Sequence, residues 1–406
     1  MVGTAARTMI ATQRNALAET VVLHDELPPL EDDEIRLRVD KVGLSANNLF
    51  YAQMGEAPFL KFFSVYPLGE EHKELAIVPA WGVATIIESA NPEFSAGERY
   101  RGFLHMTDVV QMKARRTAEG FQAFGGKRDK INQAYNGFLS VEAGGTSPIA
   151  GEGAKADLAM TSAPGGGSGF IMYELLKMHA FYGANSVVLT SASSKLSLVT
   201  ALLLREQRDA GELQCIVGYT ASANADFVLS TGLYDLVISY EEELPDDSGL
   251  RHVLVDVAGD AEIYKRGKNK FVKAFAVGGT HSDAEASVFT AFGPSGFLKM
   301  LIDMIAPASI KAWAARRLSP KLEMFFAPTV ISELLAKWGR AEMDTNSDAA
   351  LTAFVYAAID GNWMSVHRAE TPEAVQAAYR RIVEGQVRPS EAVILSLADG
   401  NRKHDE

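Results

Sequence analysis

The stretch NSVVLTSASSKLSLVTALLLREQR, residues 185–208, decides the fold. It opens with a short apolar run, Ser186–Thr190, which predicts a buried strand. A serine-rich turn follows, and Ser197–Arg208 then carries its apolar residues at helical spacing. A strand, a tight turn and a helix in this order form the first half of a βαβ unit.

The same alternation of strand and helix continues after residue 208. Further strands are predicted at Cys215–Thr220, Leu236–Tyr240, His252–Asp256 and Phe275–Gly279. Between the first two, Ala223–Thr231 reads as a short helix that Gly232 ends. Strands that alternate with helices favour an α/β domain with a doubly wound parallel sheet.

The first third of the chain has a different pattern, with short strands and turns. Strands are predicted within Glu34–Asp40, Val78–Glu88 and Gly97–Phe103, and Trp81 and Phe103 are assigned to their core. Strands of this length and spacing favour a barrel or a sandwich.

The remaining segments are predicted from glycines and helical spacing. The polar stretch Lys113–Gly153 reads as an irregular crossover between domains. The glycines at 165–169 precede a helix predicted at Phe170–Phe181. A mainly helical segment is predicted at Ser295–Arg317, and a helix followed by a strand at Thr371–Leu397.

Composition limits the classes of partner. The chain has 406 residues, a formal net charge of −12 and one cysteine, Cys215. An acidic chain has no general attraction for phosphate backbones, which argues against nucleic acid. One cysteine cannot form an intrachain disulfide, and no run of about 18 uncharged apolar residues predicts a membrane span. Since the start has no signal-peptide pattern, we expect a cytoplasmic protein.

Several motifs, in the same order along the chain, carry a resemblance to a known superfamily. The first motifs are Gly43-Leu44 with Asn47-Asn48, Val78-Pro79 with Trp81-Gly82, and Gly97–Arg99. They resemble the GLNxxD and VPG…GDRV regions of the zinc-independent quinone oxidoreductases, which belong to the medium-chain dehydrogenase/reductases. A second set of motifs comprises Ser191–Lys195, Ala46–Asn48 with Tyr51-Ala52, and Tyr135-Asn136. This set resembles more closely a bacterial and fungal subfamily of the same superfamily, which has a SASSKT-type turn.

The resemblance implies a division into two domains. Residues 1–156 are expected to form a GroES-like catalytic domain of β-barrel type, completed by residues 350–406. Residues 157–349 are expected to form a Rossmann-type nucleotide-binding domain. The resemblance also implies a small-molecule substrate, and a homodimer is possible.

The turn after the first predicted strand is the candidate nucleotide site. Ser191, Ser194 and Ser197 stand where the family comparison expects glycines, which allow a tight turn and close approach of a pyrophosphate. The hydroxyls of Ser191, Ser193 and Ser194, with the ammonium of Lys195 at a helix N-terminus, could bind phosphate instead. The alternative is that Ser193 or Ser194 only caps the helix.

The second predicted strand bears on the choice of cofactor. It ends GYTASAN, with no acid to bind the ribose hydroxyls of NAD, so NADP is favoured. No arginine or lysine lies in that loop to bind the extra phosphate. By the family comparison, further cofactor contacts are expected from Thr220, Ser222, Asn224, Asp256 and Gly278.

No metal is expected, because the first loop lacks the cysteine that zinc enzymes of this superfamily use and Glu70-Glu-His72 lacks partners. Without zinc, a carbonyl or enone must be polarised by a hydrogen-bond or proton donor. The resemblance places Tyr51 in the cleft as that donor, with Asn47 or Asn48 bonding the carbonyl oxygen or the ribose. The alternative for Tyr51 is barrel packing.

These observations predict an oxidoreductase that transfers hydride between NADP(H) and a carbonyl or activated-alkene substrate. Two alternatives remain because serines replace the glycines of the turn. One is a cofactor-independent lyase or isomerase that uses Tyr51 and the asparagine pair. The other is a non-catalytic small-molecule-binding protein with a degenerate nucleotide site, since a fold does not by itself fix a function.

Overall fold

The computed structural model describes residues 5–57, 61–131, 133–141, 147–246, 249–277 and 321–398, with isolated positions between 278 and 320. The chain forms two compact units. The first contains Met1–Pro164 together with Met364–Glu406, and the second contains Gly165–Trp363. The assignment of the domain ranges 1–156 with 350–406 and 157–349 remains a prediction.

The first unit is built mainly from antiparallel strands. Its elements are β1 (Ala5–Gln13), β2 (Ala16–Leu27), β3 (Glu34–Leu44), α1 (Ala46–Gln53), β4 (Leu75–Ala76), β5 (Pro79–Ser89), β6 (Arg99–His105), β7 (Val109–Arg116), β8 (Gly120–Phe124) and β9 (Gly137–Ser140). After α2 (Gly153–Met178), whose first part belongs to this unit, β16 (Ser365–Ala369), α7 (Pro372–Val383) and β17 (Glu391–Leu395) complete it.

The main sheet of this unit closes on itself. Its strand order is β16-β17-β3-β5-β6-β9-β8-β7, and β3 also pairs with β7. The strands from β3 to β7 therefore form a barrel-like ring around a core that includes Leu37, Val39, Tyr100 and Phe103. The short alternating strands of the first third predict this architecture correctly, whereas its description as GroES-like remains a prediction.

One prediction about this unit is wrong. Lys113–Gly153 was expected to be an irregular crossover, but it contains β8, β9 and the end of β7. The rings of Phe121 and Phe138 stack at 4.5 Å between centroids inside the barrel. Gly102 makes room for them, because a Cβ there would lie 2.2 Å from the Phe138 ring. Gly102 of β6 thus allows the strand that carries Phe138 to pack closely.

The second unit contains a parallel sheet of six strands. Its elements are β10 (Ser186–Leu189), α3 (Lys195–Asp209), β11 (Cys215–Thr220), α4 (Ala225–Ser230), β12 (Leu236–Ser239), β13 (His252–Asp256), α5 (Ala261–Gly267), β14 (Phe271–Ala276), β15 (Leu322–Met324) and α6 (Ala327–Asp360), which is interrupted at Gly339. The strand order is β12-β11-β10-β13-β14-β15. This order confirms a doubly wound, Rossmann-type sheet and reverses direction between β10 and β13.

A second correction concerns the glycines at 165–169. They were expected to precede a helix that begins at Phe170, but α2 begins at Gly153 and contains them. A Cβ on Gly169 would lie 2.5 Å from the carbonyl oxygen of Leu196 at the start of α3. These glycines therefore bring α2 and α3 close together. The helix predicted at Ser295–Arg317 lies outside the described residues, apart from isolated positions.

None of the described helices combines the length and the apolar character that crossing a membrane requires.

Candidate functional site

The serine-rich turn lies at the carboxyl end of β10, next to the point where the strand order reverses. Ser191 has a φ of +44°, a left-handed conformation that favours glycine. Its backbone N–H donates to the Tyr240 hydroxyl at 2.9 Å, and its carbonyl accepts from Ser194 N–H at 2.8 Å. The turn therefore keeps a glycine-like backbone although a serine occupies it.

The other residues of the turn begin α3. The Ser194 hydroxyl accepts from the backbone N–H of Ser197 at 3.2 Å, which makes Ser194 the N-cap. The Ser197 hydroxyl donates to the Thr190 carbonyl at 2.8 Å. Ser193 is buried, and Lys195 is the half-buried first residue of the helix. The capping alternative thus describes what the Ser194 side chain does, and its phosphate contact remains a prediction.

Asp256 ties the carboxyl end of β13 to that of β10. Its Oδ1 accepts from the Thr190 hydroxyl at 2.8 Å and from Gly259 N–H at 3.0 Å. The Thr190 hydroxyl in turn accepts from Ala258 N–H at 2.9 Å. Oδ2 of Asp256 is buried and has no hydrogen-bond partner among the described residues. Burial raises the pKa of this carboxyl to about 6, against the lowering effect of the Thr190 hydrogen bond.

The predicted cofactor contacts after β11 lie beside the end of β12. Thr220 is buried, and its carbonyl accepts from Tyr240 N–H at 3.0 Å. The Ser222 hydroxyl donates to the Glu241 carboxylate at 2.9 Å. Asn224 precedes α4, and its side chain does not cap that helix. Gly278, the remaining predicted contact, lies outside the described residues.

The structure adds three residues to this edge that sequence reasoning missed. The hydroxyl of Tyr240 bonds the turn, and its ring stacks on Tyr219 with 6.4 Å between centroids. Glu241 follows in the sequence, and Arg266 of α5 donates to the Tyr240 carbonyl at 2.8 Å. Arg266 lies 26 residues from Tyr240, so no local pattern links the two. We name Ser191, Ser222, Tyr240, Glu241 and Arg266 the sheet edge.

In the first unit, Tyr51 lies on α1 within an aromatic cluster. Ring centroids of Phe62 and Phe103 are 4.9 and 5.1 Å from that of Tyr51. Trp81 Nε1 donates to the Tyr51 hydroxyl at 3.0 Å. Tyr135 lies against Phe103 at 4.8 Å. We name these five residues the Tyr51 cluster; it brings together Tyr51 and two residues, Trp81 and Phe103, that sequence analysis assigned only to the core.

The hydrogen bond from Trp81 determines what the Tyr51 hydroxyl can do. An indole N–H can only donate, so the tyrosine oxygen is the acceptor and its own proton can be donated elsewhere. Burial raises the pKa of Tyr51 despite the opposing effect of Trp81. The hydroxyl is therefore protonated at neutral pH and can serve as a hydrogen-bond donor.

The two asparagines before Tyr51 differ in their surroundings. Asn48 is buried, its Oδ1 accepts from Ser45 N–H at 2.8 Å, and its Nδ2 donates to the Pro79 carbonyl at 3.0 Å. These bonds fix the start of α1 against β5. Asn47 is half-buried and its side chain has no hydrogen bond within the described part of the chain. Of the two asparagines, Asn47 is therefore the one whose side-chain amide is better placed to bond a ligand.

Tyr135 and Asn136 also differ in their surroundings. Tyr135 belongs to the Tyr51 cluster, and burial raises its pKa. Asn136 is buried, accepts from Arg128 Nη1 at 3.1 Å and donates to the Arg128 carbonyl at 2.9 Å. This reciprocal pair anchors a loop. Within the described ranges, no group of three or more His, Cys, Asp or Glu side chains could hold a metal ion.

With this geometry established, comparison with solved structures identifies the class of fold. The structure of the Etr1p/NADP/crotonyl-CoA complex superposes with a TM-score of 0.51 at 12% identity, covering 97% of this chain and 100% of that one. AibC superposes with a TM-score of 0.50 at 14% identity, covering 98% and 96%. At such identities the likeness concerns the fold alone. No curated protein matches the sequence at a significant level.

The family is shown by a direct match to its sequence model. Residues 42–388 match DUF2855, described as a protein of unknown function. Because the match covers most of the chain, this protein belongs to that family.

Proposed function

We propose that this protein is an oxidoreductase that transfers hydride between NADP(H) and a carbonyl or an activated alkene. The observation that carries the proposal is the polar sheet edge at the reversal of strand order, where doubly wound sheets bind their ligands. The fold shared with Etr1p supports it, since that complex contains NADP and crotonyl-CoA, whose crotonyl group is an activated alkene.

The residues of the turn fit a pyrophosphate in part. The N-terminus of α3 favours an anion through its dipole, and Lys195 adds a positive charge at the same place. The Tyr240 hydroxyl already accepts from Ser191 N–H, so its own proton is available to a phosphate oxygen. We infer that Lys195 and Tyr240 supply contacts that glycine backbones provide elsewhere in doubly wound folds.

The far side of the sheet edge determines the nucleotide preference that we propose. Arg266 brings a guanidinium to the carboxyl end of β12, where a ribose 2′-phosphate would need a cation. Glu241, on the Ser222 hydroxyl, opposes that phosphate and could instead accept from the ribose hydroxyls of NAD. We infer NADP as the cofactor, with Arg266 as the favourable charge and Glu241 as the unfavourable one.

When bound, the nicotinamide ring supplies or accepts the hydride. We infer that Tyr51 donates a hydrogen bond, and finally a proton, to the substrate oxygen when hydride adds to a carbonyl carbon, or to the α-carbon when hydride adds to the β-carbon of an activated alkene. Its proton is directed away from Trp81, and its raised pKa keeps it in place at neutral pH. Asn47 would orient the substrate carbonyl. Zinc is not part of this proposal, because the first loop lacks the metal-binding cysteine.

The test is a substrate screen of the purified protein with NADPH and with NADH, following loss of nicotinamide absorbance with enones, quinones and aldehydes. We expect turnover of at least one class, and a large loss of turnover in Tyr51→Phe. No turnover with any class, together with no nucleotide binding, would contradict the proposal.

A second candidate has its own supporting observation. Ser191 N–H and the Ser194 hydroxyl both already have partners inside the protein, which is what a degenerate nucleotide site would show. A binding protein or a cofactor-independent lyase would then use the Tyr51 cluster alone. Binding of a small molecule without turnover identifies the first, and activity that persists after removal of all nicotinamide identifies the second.

A further inference from the structure

A separate cavity of about 430 Å³ lies in the first unit. Tyr51, Asn47 and Asn48 do not line it. Its wall combines basic groups with apolar side chains, namely Arg7, His105 and Arg128 with Met9, Leu68 and Met112. A volume of this size is typical of sites that bind small molecules.

Arg128 is the buried cation of this cavity. Only 7% of its surface is exposed, and its guanidinium lies 4.5 Å above the Tyr66 ring. Nη1 donates to Asn136, whereas Nη2 is buried and has no hydrogen-bond partner among the described residues. No described carboxylate forms an ion pair with it. A buried guanidinium without a counter-ion is costly, so the site favours an incoming anion.

His105, at the end of β6, is the second unsatisfied group. It is 1% exposed, and its ring lies 4.3 Å from that of Tyr66. Neither ring nitrogen has a hydrogen-bond partner among the described residues. Burial, reinforced by the charges of Arg7 and Arg128, lowers the pKa of His105 well below its usual value. A neutral imidazole still carries one N–H that can donate.

The remaining charged residues that line the cavity are mainly basic, and two of the lining cations have acidic partners: Arg7 pairs with Asp25, and Lys113 pairs with Glu31. Lys113 and Lys127 also line it, and Glu34 is the one acid among the described lining residues. The Glu34 carboxylate accepts from Gln111 Nε2 at 2.7 Å and from Glu31 N–H at 2.9 Å. Neither of these hydrogen bonds of Glu34 involves Arg128.

We propose that this cavity binds an organic carboxylate with an apolar body. The carboxylate accepts from Arg128 Nη2 and from the His105 N–H, and it supplies the counter-ion that the guanidinium lacks. The alkyl or aryl body packs against Met9, Leu68 and Met112. This site belongs to the first unit alone, and it does not rest on the proposed hydride transfer.

The test is isothermal titration of the full chain with phenylbutyrate, phenylbutanol and inorganic phosphate. We expect saturable binding of phenylbutyrate, at least about tenfold weaker binding of the alcohol because it lacks the charge, and weaker binding of phosphate because it lacks the apolar body. Equal binding of the alcohol would overturn the role of charge, and equal binding of phosphate would overturn the role of the apolar wall. Absence of any phenylbutyrate binding would overturn the site.

Variants locate the bound probe. Arg128→Met should abolish phenylbutyrate binding, whereas Lys130→Met, which removes an exposed charge from the same turn, should leave it unchanged. If Arg128→Met unfolds, as its thermal melt would show, His105→Phe keeps the ring against Tyr66 and should weaken binding about tenfold. Unchanged binding in a folded Arg128→Met protein, or in His105→Phe, would contradict the proposed contacts.

Discussion

The Tyr51 cluster and the sheet edge differ in how their polar side chains are surrounded. In the first, the Tyr51 hydroxyl is surrounded by aromatic rings, and one hydrogen bond from Trp81 determines where its proton points. In the second, several side chains gather where parallel strands end, and those that carry charge, of both signs, are exposed. One position decides the function of the first region, whereas the function of the second depends on a balance of charges. Substitutions should therefore have sharp effects in the Tyr51 cluster and graded effects at the sheet edge.

The largest effect is expected at Tyr51. Tyr51→Phe keeps the ring in the cluster and removes only the donor, so kcat should fall by about 10²–10³-fold. NADPH affinity should not change, since the residue is not part of the sheet edge. Stopped-flow turnover and nucleotide titration on the same preparation measure both. A kcat within about twofold of wild type would make Tyr51 a packing residue.

At the sheet edge, the charges should shift nucleotide preference in opposite directions. Arg266→Ala should weaken NADPH binding by about tenfold or more and leave NADH binding unchanged, because a charged hydrogen bond to the 2′-phosphate is lost. Glu241→Gln should strengthen NADPH binding relative to NADH. Fluorescence titration of both nucleotides provides the ratio. Equal effects of Arg266→Ala on both nucleotides would exclude a 2′-phosphate contact.

Asp256, at the end of β13 and next to the serine-rich turn, should make the stability of the protein depend on pH. Its pKa is raised from 3.8 to about 6, so ionisation is less favourable in the folded state. The raised pKa therefore contributes up to about 3 kcal/mol to the free energy of unfolding while Asp256 is protonated. This contribution is fully present below pH 3.8 and is lost as the pH rises through about 6. Asp256→Asn should remove that part of the decline. Denaturant unfolding from pH 4 to 7 compares the two proteins, and parallel profiles would contradict the shift.

The smallest effect is expected at the strained turn. Ser191→Gly should stabilise the protein by about 0.5–1 kcal/mol, because glycine adopts a positive φ without steric cost. Ser193→Gly is the matched control and should destabilise, since Ser193 is not among the positive-φ residues. Thermal and denaturant melts compare the three proteins. A destabilised Ser191→Gly would mean that the serine hydroxyl contributes more than the strain costs.

Local patterns in the sequence predicted the regular parts of the molecule. Four of the six parallel strands, β10 to β13, were predicted near their observed positions because apolar runs such as Cys215–Thr220 end at turn residues. The strand predicted at Phe275–Gly279 begins earlier, at Phe271, and β15 was not predicted. The cap at Ser194 follows from the preference of serine for helix starts. Gly232 ends the short helix with a φ of +64°, as its position indicated. These features depend on interactions within a few residues.

Contacts between distant segments could not be predicted in this way. Arg266 reaches Tyr240 across 26 residues, and Trp81 reaches Tyr51 across 30. The strands β8 and β9 were not predicted, because glycines in a polar stretch are typical of turns. The stacking of Phe121 on Phe138, which shows that these strands pack together, is visible only in the structure. The buried Arg128 lies in a charged turn, where sequence alone favours an exposed side chain.

The most direct test of the central claim is a titration of the full chain with NADPH and NADH, following nicotinamide fluorescence, with Lys195→Ala alongside. The proposal predicts micromolar binding of NADPH that weakens in the variant, because Lys195 begins the helix at the serine-rich turn. Binding of neither nucleotide, or NADPH binding that Lys195→Ala leaves unchanged, would contradict a working cofactor site at this turn.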